Sequence, residues 1–408
     1  MAEPIVLVSS YPPRSCAIAD FCREAREFIR KHHPEREVLV ISHTDGRGEG
    51  VIPILEPGRA RWWEVVADKL AELNPYVVHI EHEPGLYGRP DADGEGDDGS
   101  GFIELLRAIN RFPVVVEPHT VPGRLGEREA EFLYRLCTEA HVVLIKCHYQ
   151  KWRLDWTFPG RGWRTPTNIM IVPHGARPDR RYGIHEVPQL RAELGFDRVP
   201  HLAAHLVGLI GWIPADRRWD ILTGMWEEIA GEIQNRTGQD WDLLVAGAMR
   251  DPRHQASYEQ YKDDVLELSA KGLAHFHEFQ PCGDACYKMM GVCDFLVLPS
   301  MDETHSDALL RIIALNKPFV AGAPMEVPTA QSLESGGGLL FTSRKMLRDA
   351  IVQLACDEPL RLRLGAQLKS YLEEVVSWDQ IVQQYDDAYE HARGAVLNSR
   401  PVDLPRDY

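Results

Sequence analysis

The sequence predicts an α/β protein made of two doubly wound halves. Three observations predict it. Short apolar runs alternate with amphipathic helical patterns, which is the signature of parallel βαβ units. The series occurs twice, on either side of a polar, Pro-rich stretch at 176–200. The chain, at 408 residues, is also too long for one ordinary core.

In the first half, residues 5–8, 37–41, 77–80, 114–116, 142–145 and 168–172 read as strands buried on both faces. Stretches 18–31, 61–73 and 127–139 read as the helices between them. In the second half, 206–210, 241–245, 273–277, 295–298, 318–320 and 338–341 read as strands, with helices at 219–232, 256–270, 308–315 and 346–356. A last helix, 377–395, follows the completed second series. The domains expected are therefore 1–183 and 200–376, joined by a linker at 176–200. Residues 89–101 (RPDADGEGDDGSG) are acidic and Gly-rich and read as a surface loop.

A hydrophobic fraction of 44% and a formal net charge of −16 fit a soluble protein and argue against general nucleic-acid binding. No apolar run is long enough for a signal or a spanning helix, so a cytoplasmic protein is expected. The 8 cysteines are scattered, which fits a reduced compartment rather than a disulfide framework. The segment 146–164 carries Lys151, Arg153, Arg161 and Arg164 among Trp152, Trp156 and Trp163. It reads either as a solvated connection with Trp anchors or as a peripheral membrane contact.

In open α/β sheets, ligands bind beyond the carboxyl ends of the strands, so the polar residues there are the candidates. In the first half these are Arg14, the Glu81-His82-Glu83 run, and His119. Glu81 and His82 can orient a sugar hydroxyl or cap a turn. His119 is either a core histidine or a ligand-facing one. In the second half they are Gly211, Arg217 and Arg218, then Gly247, then Glu303 and Ser306. An Arg fork suits a diphosphate. The strand 295–298 ends at Pro299-Ser300, and a helix opening at Ser306 offers unpaired N–H groups to an anion. His275 and His277 with Cys282 and Cys286 lack a standard zinc spacing, so no metal is expected. Neither a P-loop nor a G-x-G-x-x-G after the first strand is present.

In order along the chain, the motifs Tyr11-Pro12-Pro13-Arg14-Ser15-Cys16-Ala17-Ile18-Ala19, Glu81-His82-Glu83-Pro84-Gly85-Leu86-Tyr87-Gly88, Glu117-Pro118-His119-Thr120-Val121, Val172-Pro173-His174-Gly175, the loop from Gly211 to Arg218, and Ser377-Trp378 together resemble family 4 retaining glycosyltransferases of the GT-B fold. The resemblance implies two Rossmann-like domains facing a central cleft, with the C-terminal helix crossing back to the first. It implies a UDP- or GDP-sugar held by Gly211, Arg217, Arg218, Gly247, Glu303 and Ser306. Catalytic roles fall to His119, Arg217 and Glu303, and the acceptor side to Arg14, Glu81 and His82. Anomeric configuration is retained, with no metal and no cofactor beyond the sugar nucleotide. The acceptor is a carbohydrate, a lipid-linked sugar or a small molecule. The chain departs from the family at Ala17, where a Gly is usual, and at Asp307. It departs again at Arg311, where many members carry a second Glu that holds the ribose. An alternative is a degenerate GT-B protein that binds sugar or a partner without turnover.

Overall fold

The computed structural model describes residues 2–14, 16–88, 99–183, 185–213, 219–249, 254–300, 307–323 and 326–405. The chain divides into two compact units, Met1–Gly175 with Trp378–Tyr408, and Ala176–Ser377.

The first unit runs β1 (Ile5–Ser9), α1 (Ala17–His32), β2 (Val38–His43), β3 (Val51–Leu55), α2 (Trp62–Leu73), β4 (Val77–His82), α3 (Ser100–Ile109), β5 (Val114–Pro118), α4 (Glu127–Glu139), β6 (Val142–Ile145), α5 (His148–Gly160) and β7 (Ile169–Ile171). Its seven strands are parallel in the order β3-β2-β1-β4-β5-β6-β7. β1, β4, β5 and β6 are buried throughout because helices cover both faces, which is why they read as continuous apolar runs. β3 (VIPIL) escaped the sequence reading because Pro53 sits inside it. A proline cannot donate to a ladder, and this strand lies at the sheet edge, where that is tolerated.

The second unit runs α6 (Val187–Glu193), β8 (His205–Trp212), α7 (Trp219–Thr223), α8 (Trp226–Thr237), β9 (Trp241–Ala248), α9 (Gln255–Ala270), β10 (Ala274–Glu278), α10 (Gly283–Gly291), β11 (Phe295–Leu298), α11 (Asp307–Ala314), β12 (Phe319–Gly322), α12 (Glu326–Ser335), β13 (Gly338–Phe341), α13 (Arg344–Cys356) and α14 (Glu358–Tyr371). Its six strands are parallel in the order β10-β9-β8-β11-β12-β13. Residues 176–200, expected as a linker, instead fold into this unit. Leu190 on α6 and Phe196 in the next turn are buried in its core with Leu206 and Tyr287.

The last helix, α15 (Trp378–Asn398), packs into the first unit. Trp378 is fully buried, stacks on Phe28 at 6.0 Å and 18°, and lies 5.0 Å from Phe21. Its indole N–H donates to Glu24 at 3.1 Å. The fit against Gly175 is close: a Cβ there would meet the indole at 2.4 Å.

Candidate functional site

In each sheet the strand order reverses once, between β1 and β4 in the first unit and between β8 and β11 in the second. Such reversal points open a crevice beyond the strand ends, where ligands of doubly wound sheets bind.

In the first unit, the ends of four adjacent strands gather a polar cluster. β4 supplies Glu81 and His82, β5 supplies Glu117 and then His119, Lys146 follows β6, and His174 follows β7. The His119 N–H donates to the His82 carbonyl at 2.9 Å, which ties the two strand ends together. The His119 and His174 rings stack at 5.1 Å and 15°, and the edge of Phe21 from α1 abuts both.

A buried charge network lies beside them. Lys146 Nζ donates to one oxygen of Glu117, and both side chains are fully buried. The other oxygen accepts from Tyr385 OH at 2.8 Å and meets His79 Nε2 at 3.0 Å. Burial alone would raise the Glu117 pKa, but the Lys146 ammonium and the His79 hydrogen bond outweigh it and hold the carboxyl well below the usual range. Burial pulls Lys146 downward, opposed by the same carboxylate. Glu81 goes the other way: burial, then the neighbouring Glu117 charge, push it well up. It accepts from Ser9 Oγ at 2.8 Å. The two carboxyls of the cluster are therefore driven apart, Glu117 toward its charged form and Glu81 toward its neutral one.

Glu81 favours the fold below the ordinary carboxylate pKa of about 4.3, and that contribution is lost as pH rises toward its elevated folded value. Glu81→Gln keeps an acceptor for Ser9 and removes the titration. It is therefore expected to leave stability at neutral pH unchanged or higher, and to remove the decline that sets in above about pH 4.3. Urea denaturation across that range checks both.

Glu117, His119 and His174 form a triad whose donor atoms all lie within 4.8 Å of one another, the metal-sized group of this kind among the described residues. Its chemistry suits a metal poorly. Glu117 is already engaged by Lys146, His79 and Tyr385, and an added cation would face the Lys146 ammonium. The His275–Cys286 set does not converge either. His275 and His277 straddle Phe196 with ring centroids 6.3 Å apart, while Cys286 is buried in α10.

The first-unit residues expected to face an acceptor take different places. Arg14 forks Asp45 at 3.0 and 3.2 Å on a half-exposed loop. Glu81 and His82 are instead core residues, 1% and 5% exposed. His82 is enclosed by Tyr87, Phe102 and Phe132 at 4.6–5.7 Å, and burial pushes its pKa down to about 3. Tyr87 follows in the same motif, but Phe102 on α3 and Phe132 on α4 come from helices that no local signal at His82 marks. The next acidic residue, Glu83, accepts from Thr120 Oγ1 at 2.8 Å and is half-buried. The sequence places Glu117 at a strand end without assigning it a role, and it does not single out Lys146 or His174 as site residues. The available signal was a lysine directly ending the apolar run 142–145.

In the second unit, Gly211 and Gly247 pair across the ends of β8 and β9. Gly211 has φ +149°, and a Cβ on Gly247 would lie 1.9 Å from the Gly211 carbonyl, so backbone fills the place of a side chain. The segments that follow β8 and β11 leave from neighbouring strands at the reversal point. Arg217, Arg218, Glu303 and Ser306 belong to them and lie outside the described residues, as do residues 89–98 of the acidic loop. α11 begins at Asp307. Arg311 on α11 is 5% exposed, donates to the Pro281 carbonyl at 3.2 Å and covers the Tyr287 ring at 5.7 Å.

No family profile matches the chain, and no curated protein matches it in sequence. Solved structures do match. Anabaena HepE in complex with UDP aligns at a TM-score of 0.70 and 14% identity, covering 95% of this chain and 99% of that one. WaaG, a glycosyltransferase involved in lipopolysaccharide biosynthesis, aligns at 0.62 and 14%, covering 94% and 99%. The trehalose-6-phosphate synthase OtsA aligns at 0.68 and 11%, covering 95% and 99%. At these identities the likeness shows the fold: two parallel-sheet Rossmann-like domains, of seven and six strands, of the GT-B glycosyltransferase type.

Proposed function

We propose that the protein is a retaining, metal-independent glycosyltransferase of the family 4 kind, moving a sugar from a nucleotide diphosphate to an acceptor. The observation that carries this is the reversal point of the second sheet. There β8 and β11 lie side by side and lead directly into the segments bearing Arg217, Arg218, Glu303 and Ser306. The likeness to HepE, which was solved with UDP and with UDP-glucose, supports a UDP-sugar as the first donor to try.

The chemistry follows from charge. As the glycosidic bond breaks, the leaving diphosphate gains negative charge. The Arg217 guanidinium and the N–H groups opening α11 stabilise it, and Gly211 and Gly247, at the ends of β8 and β9, are assigned to the donor side. Arg218 adds a second cation. The leaving phosphate takes the acceptor proton, so no protein base is required. His119 and Glu303 are assigned to the donor sugar, and Arg14 to the acceptor. The sugar nucleotide is a co-substrate, and no cofactor takes part.

Arg217→Ala is expected to lower donor turnover by about 10²-fold or more, the scale of one lost transition-state donor, with the melting temperature unchanged. Release of free UDP from UDP-glucose, with and without sugar acceptors, measures it. Wild-type turnover in the variant would remove the diphosphate assignment.

Arg311 favours a second reading. Where the resemblance puts a ribose-binding carboxylate, this chain has a guanidinium committed to Pro281 and Tyr287. A GT-B protein that binds sugar or a partner without turnover fits that change, and it releases no UDP in the same assay.

A further inference from the structure

The geometry points to α5 as a docking element for an anionic lipid surface. Tyr149, Trp152 and Trp156 are 44%, 60% and 68% exposed. Their i, i+3, i+7 spacing puts them on one helical face. The opposite face is already anchored, with Gln150, Leu154 and Phe158 buried. The exposed stripe is therefore not what holds the helix to its sheet. Trp163, from the same stretch, shows what the fold does with an indole that it uses: that ring stacks on Tyr134 at 4.8 Å and 25°. Trp152 and Trp156 stay outside, ring centroids 6.2 Å apart, as a contiguous aromatic patch in water.

Charge identifies the occupant. Lys151, Arg153, Arg161 and Arg164 accompany the stripe, and Asp155 is the sole acid between residues 146 and 164 of a chain whose formal net charge is −16. Arg161 is exposed and donates to the Gly126 carbonyl at 3.2 Å, and Arg153 donates to the Pro122 carbonyl at 3.0 Å. Lys151 shares Asp155 at 3.2 Å. Exposed indoles and a phenol in a cation-rich stretch suit the headgroup layer of an anionic bilayer, where rings sit at the interface and cations such as Arg161 and Arg164 meet phosphate. Two-fold self-association through the stripe would instead bring these cations against their own copies. Among the described residues no helix is long and apolar enough to cross a membrane, so the contact is with one surface.

This inference does not depend on the transfer reading, and its test needs no donor. The full-length protein is floated with phosphatidylcholine vesicles with and without phosphatidylglycerol. Flotation with the anionic vesicles is expected, with a blue shift of Trp emission and a loss at high salt. Trp152→Ser/Trp156→Ser should weaken binding at least tenfold, and Arg164→Gln about fivefold at ~1 kcal/mol per charge. Both variants should keep the wild-type melting temperature, since the altered side chains are exposed. Absence of the wild type from the anionic vesicles would overturn the proposal. So would equal flotation of the double variant, or a double variant whose one change is from dimer to monomer by light scattering.

Discussion

Lys146→Met is expected to lower the unfolding free energy by about 3–5 kcal/mol, because it strands a buried carboxylate. Glu117 would keep Tyr385 and His79 but lose the ammonium that offsets its burial. The second substitution then runs the other way: Lys146→Met/Glu117→Gln should recover most of the loss, since no bare charge remains. Acid behaviour adds an independent check. With its depressed pKa, Glu117 contributes stability that is present above the ordinary carboxylate pKa of about 4.3 and lost as pH falls through its lower folded value. In Lys146→Met that acid-side dependence should shrink. Urea denaturation of the three proteins at several pH values measures it. A single variant within about 1 kcal/mol of wild type would mean that the pair is a solvated one.

Trp378→Ala is expected to cost about 3–5 kcal/mol, the range for truncating a fully buried indole. The ring fills the space against Gly175 and touches Phe21 and Phe28 of α1. It also donates to Glu24, so truncation leaves that carboxylate without one partner. Trp378→Phe keeps most of the volume and should cost less than half as much, with the difference reporting the lost N–H donor and the residual gap. Because α15 belongs to the first unit by packing and to the end of the chain by sequence, the variant should unfold that unit first. Limited proteolysis followed by mass analysis would show cleavage within residues 1–175 before cleavage within 176–377. Simultaneous cleavage of both would show that the units unfold together.

The two sheets were legible because strands covered on both faces must be apolar throughout, as in residues 114–116 and 142–145. β3 was not legible, because Pro53 is an edge-strand signal that reads as a strand breaker. The candidate site was legible at strand ends and illegible within them. His119 could be singled out by its place after β5, whereas Glu117, two positions earlier, looked like part of the same motif. What makes Glu117 a hub is Tyr385, 268 residues away, and no local pattern encodes such a partner. Lys146 read as one more solvated cation of a basic stretch, yet it is fully buried. The Trp residues of that stretch also looked alike in sequence, and packing alone separates Trp163 from Trp152 and Trp156.

The central claim is that this chain binds and turns over an activated sugar. A thermal-shift panel of UDP, GDP, ADP and TDP with their common sugar conjugates tests it most directly, followed by assay of the stabilising conjugate for release of the free nucleotide. Occupancy at 100 times Kd should add about 2.7 kcal/mol to unfolding, a shift of several degrees. The account predicts such a shift with one nucleotide base, and slow release of that nucleotide from its sugar conjugate. No shift with any conjugate at millimolar concentration, and no release, would contradict it.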